Sequence, residues 1–292
     1  MSLRNPVKYP VKYYSWQDDQ APQLSDADGV IKTILKACLV TGYGSKAGAG
    51  WTALFEDAYR IVLRRPLRTG NPPDIKIENG TITGTTVRHR IVAQDNPTGL
   101  DDATELSAVN LLARDSEKGK EWHCIVTDFA FLLCYQMGEN GIVNYSKNNL
   151  LFVGGAKKLL DTDADYFFVN KYSVVAVNGI ASIWLTGLIY QTPPNDYGND
   201  LVSMRGNVQY SAKITLNLPV AENYFNNDYL AQKIIVDKVA ELPFFCSIPT
   251  QYANLQTSQI SVNGRNMLRY VNKPAQSFAV RALYIPLDYW EL

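Results

Sequence analysis

The chain is poor in histidine, the residue most used for metal binding and proton transfer near neutral pH. It has two histidines, His89 and His123, among 292 residues. Neither has a partner at the spacing of a zinc site, and no Gly-x-Ser-x-Gly motif of a serine hydrolase accompanies them. The sequence therefore favours a structural place for both histidines, and it predicts no metal and no cofactor.

The formal net charge is also zero, because 28 Lys and Arg balance 28 Asp and Glu. Binding to a phosphate backbone normally comes with clustered basic residues, and the one short run here, from Arg60 to Arg68, is typical of a solvated face. No segment has the roughly 20 apolar residues of a membrane helix, and the N-terminus does not resemble a secretory signal. We expect neither nucleic acid nor a membrane as a partner.

Cysteine spacing excludes the common zinc-knuckle and redox motifs, since no two cysteines are separated by only two residues. The four cysteines all stand in apolar runs: Cys38, Cys124, Cys134 and Cys246. The sequence predicts buried, reduced thiols in a protein assembled in a reducing compartment.

Tyrosine is abundant, with 18 residues, and the sequence is dominated by runs typical of strands. These runs are Tyr59–Leu63, Ile75–Ile77, Thr81–Ala93, Trp122–Tyr135, Leu150–Val153, Tyr166–Val169, Tyr172–Tyr190, Val208–Leu218, Gln259–Val262, Met267–Val271, Ala279–Ile285 and Leu287–Trp290. Asn-Gly pairs at 79–80, 178–179 and 263–264 predict hairpin turns, because both turn positions accept positive φ. Gly154–Gly155 is a further predicted turn.

Helices are predicted at two places. Apolar residues at helical spacing indicate a helix from about Asp28 to Leu39, capped by Ser25 or Asp26 and ended by Gly42 and Gly44. A similar spacing indicates a helix over Asp228–Glu241 that Pro243 stops. For Asp101–Ala113 two alternatives stay open, a helix or a loop at the edge of a strand.

Together these elements predict an α+β fold that is β-dominated, with mainly antiparallel sheets and a few packed helices. The polar stretch Pro193–Asp200 is the clearest break in the chain. We therefore predict an N-terminal β-rich domain over residues 1–192, which begins with an extended arm, and a C-terminal α+β domain over residues 201–292.

The glycine-rich segment Gly42–Gly48 is superficially like a phosphate-binding loop. A P-loop needs Gly-Lys-Ser/Thr in that order after a strand, whereas here serine precedes Lys46 and the loop follows a helix, whose C-terminal end repels phosphate. A tight connection that ends in a Trp51 anchor is the better interpretation.

Acidic residues give no catalytic or metal motif. Asp161, Asp163 and Asp165 resemble half of a calcium loop, but tyrosines stand where an EF-hand has Gly and Glu. The carboxylates that a glycosidase would need all lie in polar, turn-like stretches: Asp18–Asp19, Asp101–Asp102 and Glu139. No catalytic residue is predicted.

The stretch from Pro6 to Trp51 contains four distinctive passages: Pro10–Tyr14, Ala21–Leu24, Ala37–Lys46 and Ala49–Trp51. In these passages it resembles the opening of a family of tailed-bacteriophage structural proteins. Two later passages are similar to the same family: Trp122–Leu133, and Leu151–Gly155, in which Gly155 replaces an acidic residue. The resemblance covers the first half of the chain and fades after Leu160.

This resemblance implies a non-enzymatic structural component of a tailed-phage virion, in the tail, neck, baseplate or capsid surface. Its partners would be copies of itself and other virion proteins, and it would be assembled in the host cytoplasm. Aromatic residues favour such contacts, and extended arms let subunits share strands. The candidate contact residues lie near the two ends of the chain: Tyr9, Tyr13, Tyr14, Trp16, Tyr284, Tyr289 and Trp290.

Alternatives remain for these ends and for the function. The two ends either contact a neighbour or pack on the chain's own core. A second function is a receptor- or glycan-binding module displayed on the particle, in which Tyr197, Tyr224 and Phe225 form a ligand loop that stacks on host surface sugars. A hydrolase of the host envelope is a third hypothesis.

Overall fold

Strands make up most of this computed structural model, which describes residues 7–25, 27–66, 72–79, 87–113, 121–135, 149–155, 157–158, 165–177, 180–192, 202–203, 228–236, 240–249, 257–262, 264–272 and 281–292. In chain order the strands are β1 (Lys8–Pro10), β2 (Lys12–Ser15), β3 (Thr52–Glu56), β4 (Ile61–Arg64), β5 (Asp74–Asn79), β6 (Val87–Asp95), β7 (Thr104–Ala113), β8 (Trp122–Val126), β9 (Ala130–Tyr135), β10 (Asn149–Gly155), β11 (Lys157–Lys158), β12 (Asp165–Val177), β13 (Ile180–Thr192), β14 (Val202–Ser203), β15 (Asp228–Val236), β16 (Ala240–Pro249), β17 (Ser258–Val262), β18 (Arg265–Asn272), β19 (Arg281–Pro286) and β20 (Tyr289–Glu291). The helical segments are α1 (Val30–Lys36) and the π-helical turn Ala37–Thr41 that continues it.

These strands form three larger sheets and one short pair. The central sheet has seven strands in the order β14-β13-β12-β10-β9-β8-β2, and the N-terminal sheet has five in the order β3-β4-β5-β6-β7. The C-terminal sheet has the order β11-β16-β19-β18-β17, with β15 paired to β16, while β1 pairs with β20. The pairings within these sheets are antiparallel, which confirms the β-dominated, mainly antiparallel class.

The middle of the central sheet is buried on both faces. Alternate side chains of β8, such as Cys124 and Val126, join a core with α1 and the N-terminal sheet, whereas Ile125 joins a second core with the C-terminal sheet. The same alternation continues through β9 and β10. Because both faces exclude water, these strands are continuous apolar runs in the sequence without an apolar–polar alternation.

The predicted N-terminal helix is present as α1 and its π-helical turn, but it starts at Val30 and continues to Thr41. Its N-cap is Gly29 in a left-handed conformation without a side-chain cap, which corrects the predicted cap by Ser25 or Asp26. The Gly29 amide donates instead to the side-chain oxygen of Asn79, at 3.0 Å. Gly42 ends the helical segment at φ 76, as predicted, because glycine tolerates this conformation.

The helix predicted over Asp228–Glu241 is wrong, since Asp228–Val236 is β15 and Ala240 begins β16. The β15–β16 pairing has register shifts between Tyr229 and Gln232 and between Lys233 and Ile235. Such irregularities break the two-residue period of a strand, so the apolar spacing imitates a helix. Asp101–Ala113 also lacks a helix, and Thr104–Ala113 is β7. Among the described residues, α1 with its π-helical turn is therefore the only helix, which corrects the prediction of a few packed helices.

The Asn-Gly turns have mixed outcomes. Val262 pairs with Arg265 and Gly264 has φ 75, which confirms a two-residue hairpin between β17 and β18. Val177 pairs with Ile180, so β12 and β13 are also joined by two residues. β5 and β6 pair as the predicted antiparallel hairpin, but Asn79 lies within β5 and pairs with His89, so the predicted tight turn at 79–80 is wrong.

Strands of the N-terminal and C-terminal regions pair with one another and pack in a common core. The predicted boundary at 193–200 lies outside the described residues. The C-terminal sheet packs on the central sheet through the second core, which includes Phe152 and Phe244. β1 pairs with β20, and β11 pairs with β16. The division into two domains stays a prediction.

His89 lies buried on the inner side of β6, and neither of its ring nitrogens has a hydrogen-bond partner within the described part of the chain. Burial disfavours the charged ring and lowers its pKa from 6.5 to about 4. The unfolded chain therefore takes up this proton first as the pH falls. The stability that His89 contributes is complete above pH 6.5 and is lost as the pH falls towards 4.

We expect His89→Leu to remove this pH dependence. Between pH 7 and pH 5 the parent should lose about 2 kcal/mol more unfolding free energy than the variant, because only the parent has this depressed histidine pKa. Urea unfolding of both proteins at the two pH values measures the difference, and effects of all other groups cancel in the comparison. Equal losses in the two proteins contradict the buried, unpaired state of His89.

Candidate protein-contact surface

The two chain ends meet at one seam, the terminal clasp, formed by β1, β20, Arg265 and Asp288. Lys8, Tyr9 and Pro10 pair with residues 291, 290 and 289. The Val11 amide donates to the Asp288 carbonyl at 3.1 Å, and the Leu292 amide donates to the Val7 carbonyl at 3.2 Å. The extended N-terminal arm therefore lies on the chain's own C-terminus.

The Tyr289 ring is the centre of the clasp. The Lys8 ammonium lies 4.4 Å from the ring centroid and the Arg265 guanidinium 4.1 Å from it, both within the range of cation–π attraction. Arg265 also pairs with both carboxylate oxygens of Asp288, at 3.0 and 2.8 Å. Partial burial opposes ionisation of Asp288, but Arg265 and the Tyr289 amide outweigh it and hold the pKa of the carboxyl below its usual value.

An aromatic stack holds the start of the arm against the central sheet. Tyr9 stacks on Phe129 with ring centroids 5.3 Å apart and an interplanar angle of 17°. The buried Arg65 guanidinium lies 4.3 Å from the Phe129 centroid and donates to the Phe129 carbonyl. A Cβ at Gly155 would lie 1.6 Å from this ring. The predicted Gly154–Gly155 turn is accordingly a strand end in β10, where the second glycine leaves room for Phe129.

Tyr13 connects β2 to the central sheet through His123. The Tyr13 hydroxyl lies 2.8 Å from Nδ1 of His123, whose Nε2 lies 3.0 Å from a Glu121 carboxylate oxygen. A neutral ring that accepts from Tyr13 and donates to Glu121 satisfies both contacts. Burial raises the pKa of the Tyr13 hydroxyl above its usual value, so this hydroxyl stays protonated. The trio is suited to holding β2 in place and is a poor source of a nucleophile.

The glycine-rich loop of residues 42–48, here called the edge loop, covers the outer edge of β2. The Lys46 ammonium donates to the Tyr13 carbonyl at 2.8 Å and pairs with an Asp18 carboxylate oxygen at 2.7 Å. The Tyr43 hydroxyl donates to Asp18 at 2.7 Å. Lys46 is thus bound to the protein's own backbone and carboxylate, as expected for a structural connection and not for a phosphate loop. Trp51, which is 3% exposed, ends the connection as predicted.

Lys46→Met should lower the free energy of unfolding by about 1–2 kcal/mol, because Asp18 and the Tyr13 carbonyl lose a charged donor. Lys36→Met is a matched control: the Lys36 side chain is 34% exposed against 35% for Lys46, but within the described part of the chain its ammonium contacts only the partly exposed carboxylate of Glu56. We expect the control to lose less than about 1 kcal/mol. Chemical denaturation of the three proteins makes the comparison, and equal losses contradict a special role for Lys46.

The predicted contact residues fall into two groups. Tyr14, Tyr284 and Trp290 are 1–2% exposed inside the chain's own cores, so they offer almost no surface to a partner. Tyr9, Tyr13, Trp16 and Tyr289 are half-buried along the arm and the clasp, and for them the contact role stays a prediction. The ligand-loop residues Tyr197, Tyr224 and Phe225 lie outside the described residues, and so do Asp161 and Asp163.

Sequence reasoning missed the residues that fix the arm: Phe129, Arg65, Lys46, Arg265 and Asp288. The Gly154–Gly155 pair and the lysine inside a glycine-rich loop were signals of close packing, but their partners are distant in the chain. Within the part that the structure describes, no three His, Cys, Asp or Glu side chains come together in a metal-binding group. None of the described helices is long and apolar enough to cross a membrane.

Comparisons with protein-family models, curated proteins and solved structures find no match to this chain.

Proposed function

We propose that this chain is a non-enzymatic structural component of a tailed-phage virion, of the β-dominated α+β class, that acts through oligomeric protein–protein contacts. The resemblance of Pro6–Trp51 to phage structural proteins supports the virion. The single observation that supports a contact role is the seam at which both chain ends interlock. The rings of Tyr9 and Tyr289 are only half-buried at this seam.

Ion pairs hold both the terminal clasp and the edge loop on β2 in place. Arg265 neutralises Asp288 and contacts Tyr289, and Lys46 neutralises Asp18 while it caps the Tyr13 carbonyl. With these charges paired inside the chain, the remaining aromatic and arginine surface is of the kind that protein–protein interfaces favour, since they are enriched in Tyr, Trp and Arg and depleted in Lys and Glu. The partners would be copies of this chain and other virion proteins.

Composition of the purified particle tests the proposal. Phage particles banded in a density gradient should contain this chain at a constant ratio to the major capsid protein, as measured by quantitative mass spectrometry. A washed particle that lacks the chain contradicts the proposal. The non-enzymatic part is tested separately, since the purified chain should leave the turbidity of host envelope unchanged and should release no reducing sugar.

A further inference from the structure

The arm, residues 7–18, makes its main contacts with segments far along the chain. The Trp16 amide donates to the Trp122 carbonyl at 3.1 Å, and the Tyr14 hydroxyl donates to the Ala47 carbonyl at 2.7 Å. Among the strands that the structure describes, β2 pairs with β8 alone, at the rim of the central sheet, and β1 pairs with β20 alone. The surface that receives the arm, here called the seat, consists of β20, β8, Phe129 and the edge loop.

The seat is complementary to the arm along its whole length. It takes up the Tyr9 ring against Phe129, the Tyr13 hydroxyl at His123 and the Asp18 carboxylate at Lys46. Tyr14 is 2% exposed with the arm in the seat. None of these contacts depends on which copy of the chain the arm belongs to, because the arm and the seat are joined only through the residues after Asp18.

The join between arm and body is short and exposed. Asp19 and Gln20 are both exposed, and Gln20 has φ 58, a conformation that non-glycine residues rarely adopt. The Ala21 amide donates to the Asp18 carbonyl at 3.1 Å and closes the turn. Beyond it, Ala21 and Leu24 are buried and belong to the body. Extending Asp19–Gln20 releases the left-handed residue and breaks one turn hydrogen bond, while the arm's contacts with a seat are kept.

We propose that the arm is exchanged between copies of this chain in the assembled form, so that each seat is occupied by residues 7–18 of a neighbour. The proposal rests on the proposed assembly role, and it specifies the segment and the partner, a second copy. Exchange of an identical element joins subunits through arm–seat contacts that already exist within one chain. The two-residue join requires the neighbouring bodies to touch close to Asp19, because two extended residues span only about 7 Å.

Paired cysteines distinguish exchange from closure within one chain. Lys8 faces Glu291 in the β1–β20 pairing. The flanking backbone hydrogen bonds make this a non-hydrogen-bonded pair, with a Cα separation of about 4.5 Å that suits a disulfide. Full-length Lys8→Cys and Glu291→Cys chains with different affinity tags are co-expressed, so that exchange can occur during folding, and the purified assembly is oxidised.

Exchange predicts a disulfide-linked product that carries both tags, migrates at about twice the 32.7 kDa chain mass and disappears on reduction. Lys12→Cys replaces Lys8→Cys in a mismatched control, because Lys12 faces Val126 and not Glu291. A chain that carries both Lys8→Cys and Glu291→Cys is the positive control, because it shows that these two cysteines can form a disulfide. Pro10→Cys with Tyr289→Cys repeats the experiment at a second facing pair.

The proposal is overturned if the doubly substituted chain closes only within itself and the co-expressed single variants give no product with both tags. This result leaves the virion role standing, provided that the chain is found in purified particles. Conversely, arms that exchange in a chain missing from the particles support the exchange and contradict the virion role. The two ideas therefore fail separately.

Discussion

Replacing Gly48 by alanine should lower the free energy of unfolding by roughly 3–5 kcal/mol. A Cβ at this position would lie 2.1 Å from the carbonyl oxygen of Val40 and 2.4 Å from its carbon. Both atoms belong to backbone, so no rotamer change removes the clash. The edge loop is held against the helical segment by hydrogen bonds from the amides of Ala49 and Trp51 to Cys38 and Leu39, and it must move away if Gly48 acquires a side chain.

Gly264→Ala is the control for a glycine without a steric clash. Gly264 has a positive φ, 75°, which Gly48 does not have, and no atom lies within 4 Å of an added Cβ. We expect only the cost of a left-handed alanine there, about 1–2 kcal/mol. Equilibrium unfolding in urea gives both values. A Gly48→Ala loss no larger than the Gly264→Ala loss contradicts the close approach of the edge loop to Val40, and with it the position of Lys46 on β2.

Trp290→Ala should destabilise the isolated chain by roughly 3–5 kcal/mol, as expected for a large aromatic residue removed from a core. Trp290 is 1% exposed, packs against Phe152 with ring centroids 6.2 Å apart, and donates its indole N–H to the Pro286 carbonyl at 3.0 Å. The substitution leaves a cavity and an unpaired carbonyl. Thermal and urea unfolding of the isolated chain, without any partner present, measure this loss.

Tyr59→Ala is the control, because Tyr59 is an aromatic residue exposed at the surface of the protein. Tyr59 is 53% exposed, and we expect its replacement to change stability by less than about 0.5 kcal/mol. A similarly small effect for Trp290→Ala in the isolated chain would mean that Trp290 acts in contacts with a partner and not in the chain's own core. The two variants together therefore decide between the two alternatives that the sequence leaves open for the C-terminus.

Local patterns in the sequence were sufficient for much of the fold. The apolar runs predicted most strands, and the turn at Gly264 follows from the positive φ that an Asn-Gly pair accepts. The helix over residues 228–241 was predicted wrongly because the irregular β15–β16 register shifts the apolar residues to a helix-like spacing. Asn79 was predicted in a turn because sequence alone does not show that it pairs with His89 and binds the Gly29 amide.

Local sequence patterns could not predict the seam between the chain ends. Tyr9 meets Trp290 in the β1–β20 register across almost the whole length of the chain, and no short-range pattern encodes that pairing. The tyrosines of the arm were predicted as contact residues because of their type. Their actual environment depends on Phe129, His123 and Lys46, which come from three separate segments.

A reconstruction of the intact particle, with density clear enough to follow residues 16–21, decides whether this chain is a virion component with exchanged arms. We expect repeated copies of the three-sheet body in contact with one another, with each arm seat filled by the Tyr-rich segment of a neighbouring copy. A particle whose density is fully explained by other proteins, with no place for this body, would contradict this expectation.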